Sequence, residues 1–217
     1  MNNVYKYTVN KNQIETIESY NNASKEFMEK IGVLNNYNIT YDYLLERLKE
    51  NDYILDLACG PGQISKYLKN RIKINITGVD LSTEMLKIAQ SIIPNGLFIK
   101  DSIITFKSKI LYNLIVIGFG IPYLNKGQTV KCIKNSASLL KSYGYFYISF
   151  MEGNKRGFEK TSFGGKNKFY IYYHNKEEIK NVLDKYGIET IKEYVIDYKE
   201  NDGRITKDIV IIGRKIE

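Results

Sequence analysis

Short apolar runs alternate with stretches whose apolar residues recur every three or four positions. The runs Tyr53–Leu57, Ile74–Val79, Gly96–Lys100, Tyr112–Ile117 and Gly144–Phe150 are short and rich in Ile, Val, Leu and Tyr, which predicts strands. Between them, Gln63–Lys69, Thr83–Ile92 and Gly127–Tyr143 carry helical spacing. Two helices precede the alternation: a polar one over Lys11–Lys30, with Ile14, Ile17, Tyr20, Phe27 and Ile31 as its stripe, and a second over Tyr41–Lys49. Strand–helix–strand alternation predicts a parallel sheet with right-handed crossovers and helices on both faces.

The C-terminus departs from that rhythm. A helix begins at Asn175, with Glu178 three residues on as a capping box. Two strand-like runs follow, Gly187–Tyr198 and Arg204–Arg214, joined by the hairpin signal Asn201-Asp202-Gly203. The expected fold is a doubly wound α/β sheet, seven-stranded and mostly parallel, ending in an antiparallel β-hairpin. Residues 1–50 form an N-terminal helical cap, and 51–217 form the main domain with a lid-like insert at about 152–173.

Composition narrows the class. The chain has 217 residues, 43% of them hydrophobic and 26% charged, enough for one α/β domain with a large core. Two cysteines, Cys59 and Cys132, form no CxxC pair, and a single histidine excludes a His-rich metal site, so no metal is expected. No run of about 18 apolar residues occurs, so no membrane span is predicted. The polar start, Met1 to Asn12, has no signal-peptide core. The sequence reads as a reduced, cytoplasmic protein. The net charge of +8 comes mainly from lysine in a chain rich in Ile, Asn and Tyr, the composition of a translated AT-rich genome. Nucleic-acid binding would need that charge gathered on one face.

The segment Ile54-Leu55-Asp56-Leu57-Ala58-Cys59-Gly60-Pro61-Gly62-Gln63 carries the chemistry. An apolar strand enters a turn of small residues, and a helix starts at once. Open α/β sheets bind ligands at the carboxyl ends of their strands beside such a turn. Ala58, Gly60 and Gly62 let a ligand approach the backbone. Asp56 sets a carboxylate at the mouth, which suits an amino group and disfavours a phosphate. No GxxxxGK[ST] segment is present.

In these residues the sequence resembles the class I S-adenosylmethionine-dependent methyltransferases. Their first motif, [D/E]xGxGxG, is matched by Asp56, Gly60 and Gly62, with Ala58 where glycine is usual. Val79-Asp80-Leu81-Ser82 ends the next strand with an acid, and the resemblance implies that Asp80 takes the ribose hydroxyls beside Leu81. It further implies that Asp101, in Lys100-Asp101-Ser102, accepts from the adenine amino group, with the Ser102 N–H on the ring. Tyr112-Asn113 through Gly118-Phe119-Gly120 matches the strand whose end lies beside the methionine part, with Tyr-Asn where Phe-Asp is usual. Ser19-Tyr20-Asn21-Asn22-Ala23 loosely matches a cap segment that would bring Tyr20 to the methionine end; Tyr20 reads equally well as a core residue. The implied cofactor is S-adenosyl-L-methionine. Glycines alone would also fit a nicotinamide fold, but acids at three successive strand ends and the terminal hairpin favour the methyltransferase.

Three places are candidates for the substrate side. In Gly120-Ile121-Pro122-Tyr123, only Pro-Tyr remains of the [D/N/S]PP[Y/F/W] of amino-group methyltransferases. Tyr123 is therefore either a substrate contact or a packed aromatic. The insert Glu152–Tyr173 combines Lys155, Arg156, Lys160, Lys166 and Lys168 with Phe158, Phe163, Phe169 and Tyr170, and shows no regular period. It is expected to be a mobile lid for an aromatic or anionic substrate; its alternative is a solvated loop. His174 could act as a base near neutrality, against a plain capping or surface role. The leading expectation is methyl transfer to an O or N nucleophile of a small molecule. The alternatives are an RNA or protein methyltransferase using the basic insert, a non-catalytic cofactor-binding protein, and an NAD-dependent oxidoreductase.

Overall fold

The computed structural model describes residues 9–32, 34–161, 164–199, 203 and 205–217. Strands β1 (Tyr53–Leu57), β2 (Asn75–Asp80), β3 (Leu97–Lys100), β4 (Tyr112–Ile117) and β5 (Leu140–Met151) are joined through helices α4 (Gln63–Lys69), α5 (Thr83–Ile92) and α6 (Lys126–Leu139). Helix α7 (Lys176–Lys185) leads to β8 (Ile188–Lys199) and β9 (Ile205–Lys215). The seven-stranded sheet has the order β3-β2-β1-β4-β5-β9-β8. Its first five strands are mutually parallel, and β9 is antiparallel to both β5 and β8. The strand order reverses between β1 and β4, which opens a crevice at their carboxyl ends.

The central strands are apolar on both faces, as a sheet sandwiched between helices requires. Leu55, Leu57, Ile115 and Ile117 join one buried cluster, which also contains Cys132 and Ile133 of α6 and Leu183 of α7. The alternate positions Ile54, Leu114 and Val116 join a second cluster with Leu68 of α4 and with Leu44 of α3 (Asn38–Leu45).

Several boundaries differ from the sequence reading. The N-terminal helix is two helices, α1 (Lys11–Asn22) and α2 (Ser24–Ile31), because Ala23 leaves helical geometry at φ −104° and ψ 18°. The expected stripe is also displaced. Ile14 is 48% exposed, and α1 instead buries Gln13, Thr16 and Ser19, which find hydrogen-bond partners. Helix α3 begins and ends earlier than Tyr41–Lys49. Helix α6 stops at Leu139 because Leu140 turns extended and pairs with Tyr112.

The insert is not irregular. Strands β6 (Arg156–Glu159) and β7 (Phe169–Tyr172) form an antiparallel ribbon of their own. Over Phe169 to Tyr173 every second residue is buried, but the alternates, Tyr170 and Tyr172, are half-buried tyrosines, so no polar period marks the strand. Phe163, Arg204 and the Asn201-Asp202 turn lie outside the described residues. Among the described residues no helix is long and apolar enough to cross a membrane.

Candidate active site

A mostly apolar cavity of about 270 Å³ lies over the carboxyl ends of β1, β2 and β4. Its floor is the turn after β1. Ala58 and Gly60 both take left-handed backbone conformations, with φ of 58° and 51°. The cost is negligible for glycine and real for alanine, a form of strain that collects at functional turns. The Gly60 N–H donates to Asp80 Oδ2 at 2.9 Å, and the Ser82 N–H donates to Asp80 Oδ1 at 2.8 Å. The carboxylate at the end of β2 thus locks two strand-end turns together. Burial raises its pKa, and those backbone N–H groups partly oppose the shift. The wall above β4 comes close because a Cβ on Gly118 would lie 2.5 Å from Ile64 Cδ1. Phe119, which follows, is also left-handed at φ 53°, held by its N–H donating to Ser149 Oγ at 2.9 Å.

The roof comes from α1, α2 and the ribbon. Gln13 Nε2 donates to the Tyr123 carbonyl at 2.7 Å, Ser19 Oγ to the Lys168 carbonyl at 2.8 Å, and the Tyr170 N–H to Thr16 Oγ1 at 2.9 Å. Tyr20 hydrogen-bonds Tyr123 through their hydroxyls and packs edge-on against Phe27, Tyr123 and Phe169. Burial, together with Tyr123 beside it, raises the Tyr20 phenol, and burial pushes Tyr123 up to about 12. Asn21 Oδ1 accepts from Ser82 Oγ at 2.8 Å, which fastens α1 beside Asp80.

Of the residues singled out by sequence, Tyr20, Ala58, Gly60, Asp80, Leu81, Ser102, Gly118 and Tyr123 line this one cavity. Asp56, Gly62, Asp101 and His174 do not. Asp56 is buried behind the turn and accepts from Ser65 Oγ at 2.6 Å; burial pushes its pKa up to about 7. Gly62 caps α4 at φ 80°, where a Cβ would lie 3.3 Å from that of Ala89. Asp101 Oδ1 accepts from the Ser102 N–H at 2.6 Å. His174 is 3% exposed, and its Nε2 meets the Ile121 carbonyl at 2.9 Å, so that nitrogen carries the proton. Burial lowers its pKa. It stands behind the turn that bears Tyr123, because a parallel bridge to Glu152 draws it into the sheet.

The sequence reading missed Tyr37, Tyr198 and Asp208, which line the cavity with Phe119 toward β9. The one available signal was Asp208, an acid at the head of the apolar run Ile209–Ile212.

Residues 54–144 match a family model described as a methyltransferase domain. Over that span the chain is similar to the methyltransferase-domain family, and its fold is that of S-adenosylmethionine-dependent methyltransferases. It is 29% identical over 112 residues to a putative methyltransferase of invertebrate iridescent virus 6, a match covering 50% of this chain and 41% of that protein. It is 23% identical over 175 residues to an uncharacterized protein of Methanocaldococcus jannaschii, covering 69% of this chain and 66% of the relative. The matches thus span less than two thirds of either relative. The fold is shared with the 1,6-didemethyltoxoflavin N1-methyltransferase of Burkholderia thailandensis, whose structure holds S-adenosylhomocysteine. The TM-score is 0.71 at 13% identity, over 100% of this chain and 92% of that one.

The family's cofactor is S-adenosylmethionine, and the donor set here fits it. Asp80 is an acceptor with lone pairs to spare beyond two backbone N–H groups, as a ribose diol needs. Leu81, Met85, Ile103 and Ile104 give an apolar slot beside Ser102 for a flat base.

Proposed function

We propose that this methyltransferase acts on a small molecule, methylating an N or O nucleophile held beneath the ribbon. The observation that carries this reading is the roof. The cavity runs from Asp80 to Asp208 and is covered by α1 and the ribbon, through hydrogen bonds from Gln13, Ser19 and Tyr170. A roofed, aromatic-walled cleft suits a compact flat molecule better than a side chain or base still attached to a polymer. A neighbour in fold is named for N1-methylation of 1,6-didemethyltoxoflavin, a compound of that kind.

S-adenosylmethionine, when bound, supplies an electrophilic methyl on a positively charged sulfur. The chain's contribution is orientation and exclusion of water. In this reading Asp80 and Ser102 hold the nucleoside end, and the Ala58–Gly60 turn and Gly118 flank the methionine end. The Tyr20–Tyr123 pair closes that end from above. Asp56, occupied by Ser65, holds the turn in shape. Asp101 stiffens the strand end that carries Ser102. His174 acts as a positioning residue: its ring N–H anchors the Ile121 carbonyl, and so the turn carrying Tyr123.

The test is transfer of methyl label from S-adenosylmethionine to fractionated cell extract. Label is expected in the small-molecule fraction. Label on RNA or protein instead would transfer the reading to a macromolecular substrate. Exposed Arg156, Lys166 and Lys168 on the ribbon would then be the contact surface.

A further inference from the structure

Among the described residues that line the cavity, three have left-handed backbones: Ala58, Gly60 and Phe119. Two are small and form the floor turn. Phe119, at φ 53°, carries a bulky ring in a conformation that glycine adopts freely and phenylalanine only at a cost. Such strain persists where the surroundings impose it. Here a buried serine does so. The Phe119 N–H donates to Ser149 Oγ at 2.9 Å, and Ser149 is 0% exposed between Ile148 and Phe150 on β5. A hydroxyl buried in an apolar strand needs a partner, and the Phe119 N–H is one.

The ring held this way does not serve the core. Phe119 is half-buried and belongs to none of the three hydrophobic clusters among the described residues. Among those residues no ring stacks flat on it. Tyr37 meets it edge-on, with centroids 5.4 Å apart and planes at 80°. Tyr37 is fixed in turn by Thr40, whose Oγ1 donates to the Tyr37 carbonyl at 2.7 Å and meets the Tyr147 hydroxyl at 3.2 Å. Tyr147 and Ser149 are both on β5, so one buried strand sets both rings.

The place of the ring matters as much as its support. Gly118 and Gly120, on either side in sequence, also line the cavity. A Cβ on Gly120 would lie 2.9 Å from that of Ala58, so this backbone is packed onto the floor turn. Phe119 therefore stands where the methionine end of the floor gives way to the β9 side of the cavity. A nucleophile must be held in line with the transferring methyl, on the side away from sulfur. An apolar ring kept open at that border offers a face for offset stacking.

We infer that Phe119 is a specificity-determining residue whose ring seats a flat aromatic substrate beside the Gly118–Gly120 turn. This rests on the small-molecule reading above and narrows the expected aromatic or anionic substrate to one with a flat aromatic ring. Phe119→Leu is the informative change, because leucine meets the same backbone constraint and stays apolar while the ring is lost. Phe119→Tyr keeps the ring and is the conservative control.

The experiment uses the full chain saturated with S-adenosylhomocysteine and two neutral probes of one skeleton, flat 2-naphthol and saturated decahydro-2-naphthol. Binding is read by ligand-observed NMR. The saturated probe has the larger apolar surface, so burial alone would favour it. The flat probe is nevertheless expected to bind about fivefold more tightly, the scale of one aromatic pair. In Phe119→Leu the preference should shrink to within about twofold, and in Phe119→Tyr it should persist. Equal binding in the parent chain, no binding of either probe, or a preference that survives in Phe119→Leu overturns the inference. If S-adenosylhomocysteine itself does not bind, the cofactor reading fails separately, and the probes are compared on the chain alone. A polymeric substrate would show in the label-transfer test without altering the probe preference. Should Phe119→Leu not fold, a crystal of the parent chain soaked with 2-naphthol decides. The probe's ring belongs with its centroid about 4.5–7 Å from that of Phe119, and any other seat overturns the inference.

Discussion

The floor and the roof of the cavity are built by different means. The floor rests on strands buried on both faces, and its turns are joined by backbone N–H groups donating to Asp80. To move it, apolar surface in the centre of the sheet must be exposed. Helix α1 is attached to the floor by a few side-chain hydrogen bonds, Gln13 to the Tyr123 carbonyl and Ser82 to Asn21, each contributing on the order of 1 kcal/mol, and two more join α1 to the ribbon. The roof's aromatic contacts, Tyr20 on Phe169 and Tyr123, form a small cluster set apart from the two main ones. Regions with few buried contacts open at lower free energy than the core. Ligands are therefore expected to enter by the roof, with α1 and the ribbon opening together because Thr16 and Ser19 tie them to each other.

The strongest challenge to this contrast is a core deletion. Leu57→Ala, at a fully buried end of β1, should lower global stability by about 2–5 kcal/mol in urea unfolding. A loss under about 1 kcal/mol would mean that the floor is no firmer than the roof. Next in size is Asp80→Ala, expected to weaken S-adenosylhomocysteine binding by about 1–3 kcal/mol in calorimetry. Unchanged affinity would remove Asp80 from the cofactor's contacts.

A smaller effect is expected from Gln13→Ala combined with Ser19→Ala. Removing the ties to Tyr123 and Lys168, along with the Gln13 contacts to Asn10 and Gln128, should reduce stability by roughly 1–2 kcal/mol. The sharper readout is hydrogen exchange, which should accelerate in β7 and α1 and remain slow in β1 and β4. Equal acceleration in both regions would dissolve the distinction.

The smallest effect concerns His174. Its folded pKa lies below the ordinary 6.5, so the unfolded chain binds more protons in the window below that value. Stability from this group therefore rises with pH through the window and is lost on acidification. Asp56 and Asp80, both raised, slope the other way, and comparing the parent with His174→Gln isolates the histidine. The glutamine amide can still donate to the Ile121 carbonyl. The variant's melting temperature should gain relative to the parent as pH falls from 7 to about 5, with methyl transfer retained. Abolished transfer in a folded variant would return His174 to a direct part in the reaction.

What the sequence determined alone is what short-range geometry controls. Strand and helix periods in the main sheet, the glycine turn after β1 and the acids at strand ends depend on neighbours a few residues away, and these were legible. So was the antiparallel ending, since runs of alternating and apolar residues around a turn signal need no distant partner to be recognised.

The tertiary structure decided which side chains reach the cavity. Asp56 and Asp80 look alike as strand-end acids, but a serine nine residues on claims Asp56. The buried polar edge of α1 looks solvent-facing until its partners arrive, 110 residues away at Tyr123 and 149 away at Lys168. Tyr37 and Asp208 are 171 residues apart. Burying a polar group is tolerable only when a partner meets it. Whether one does depends on the path of the whole chain, which no local period records.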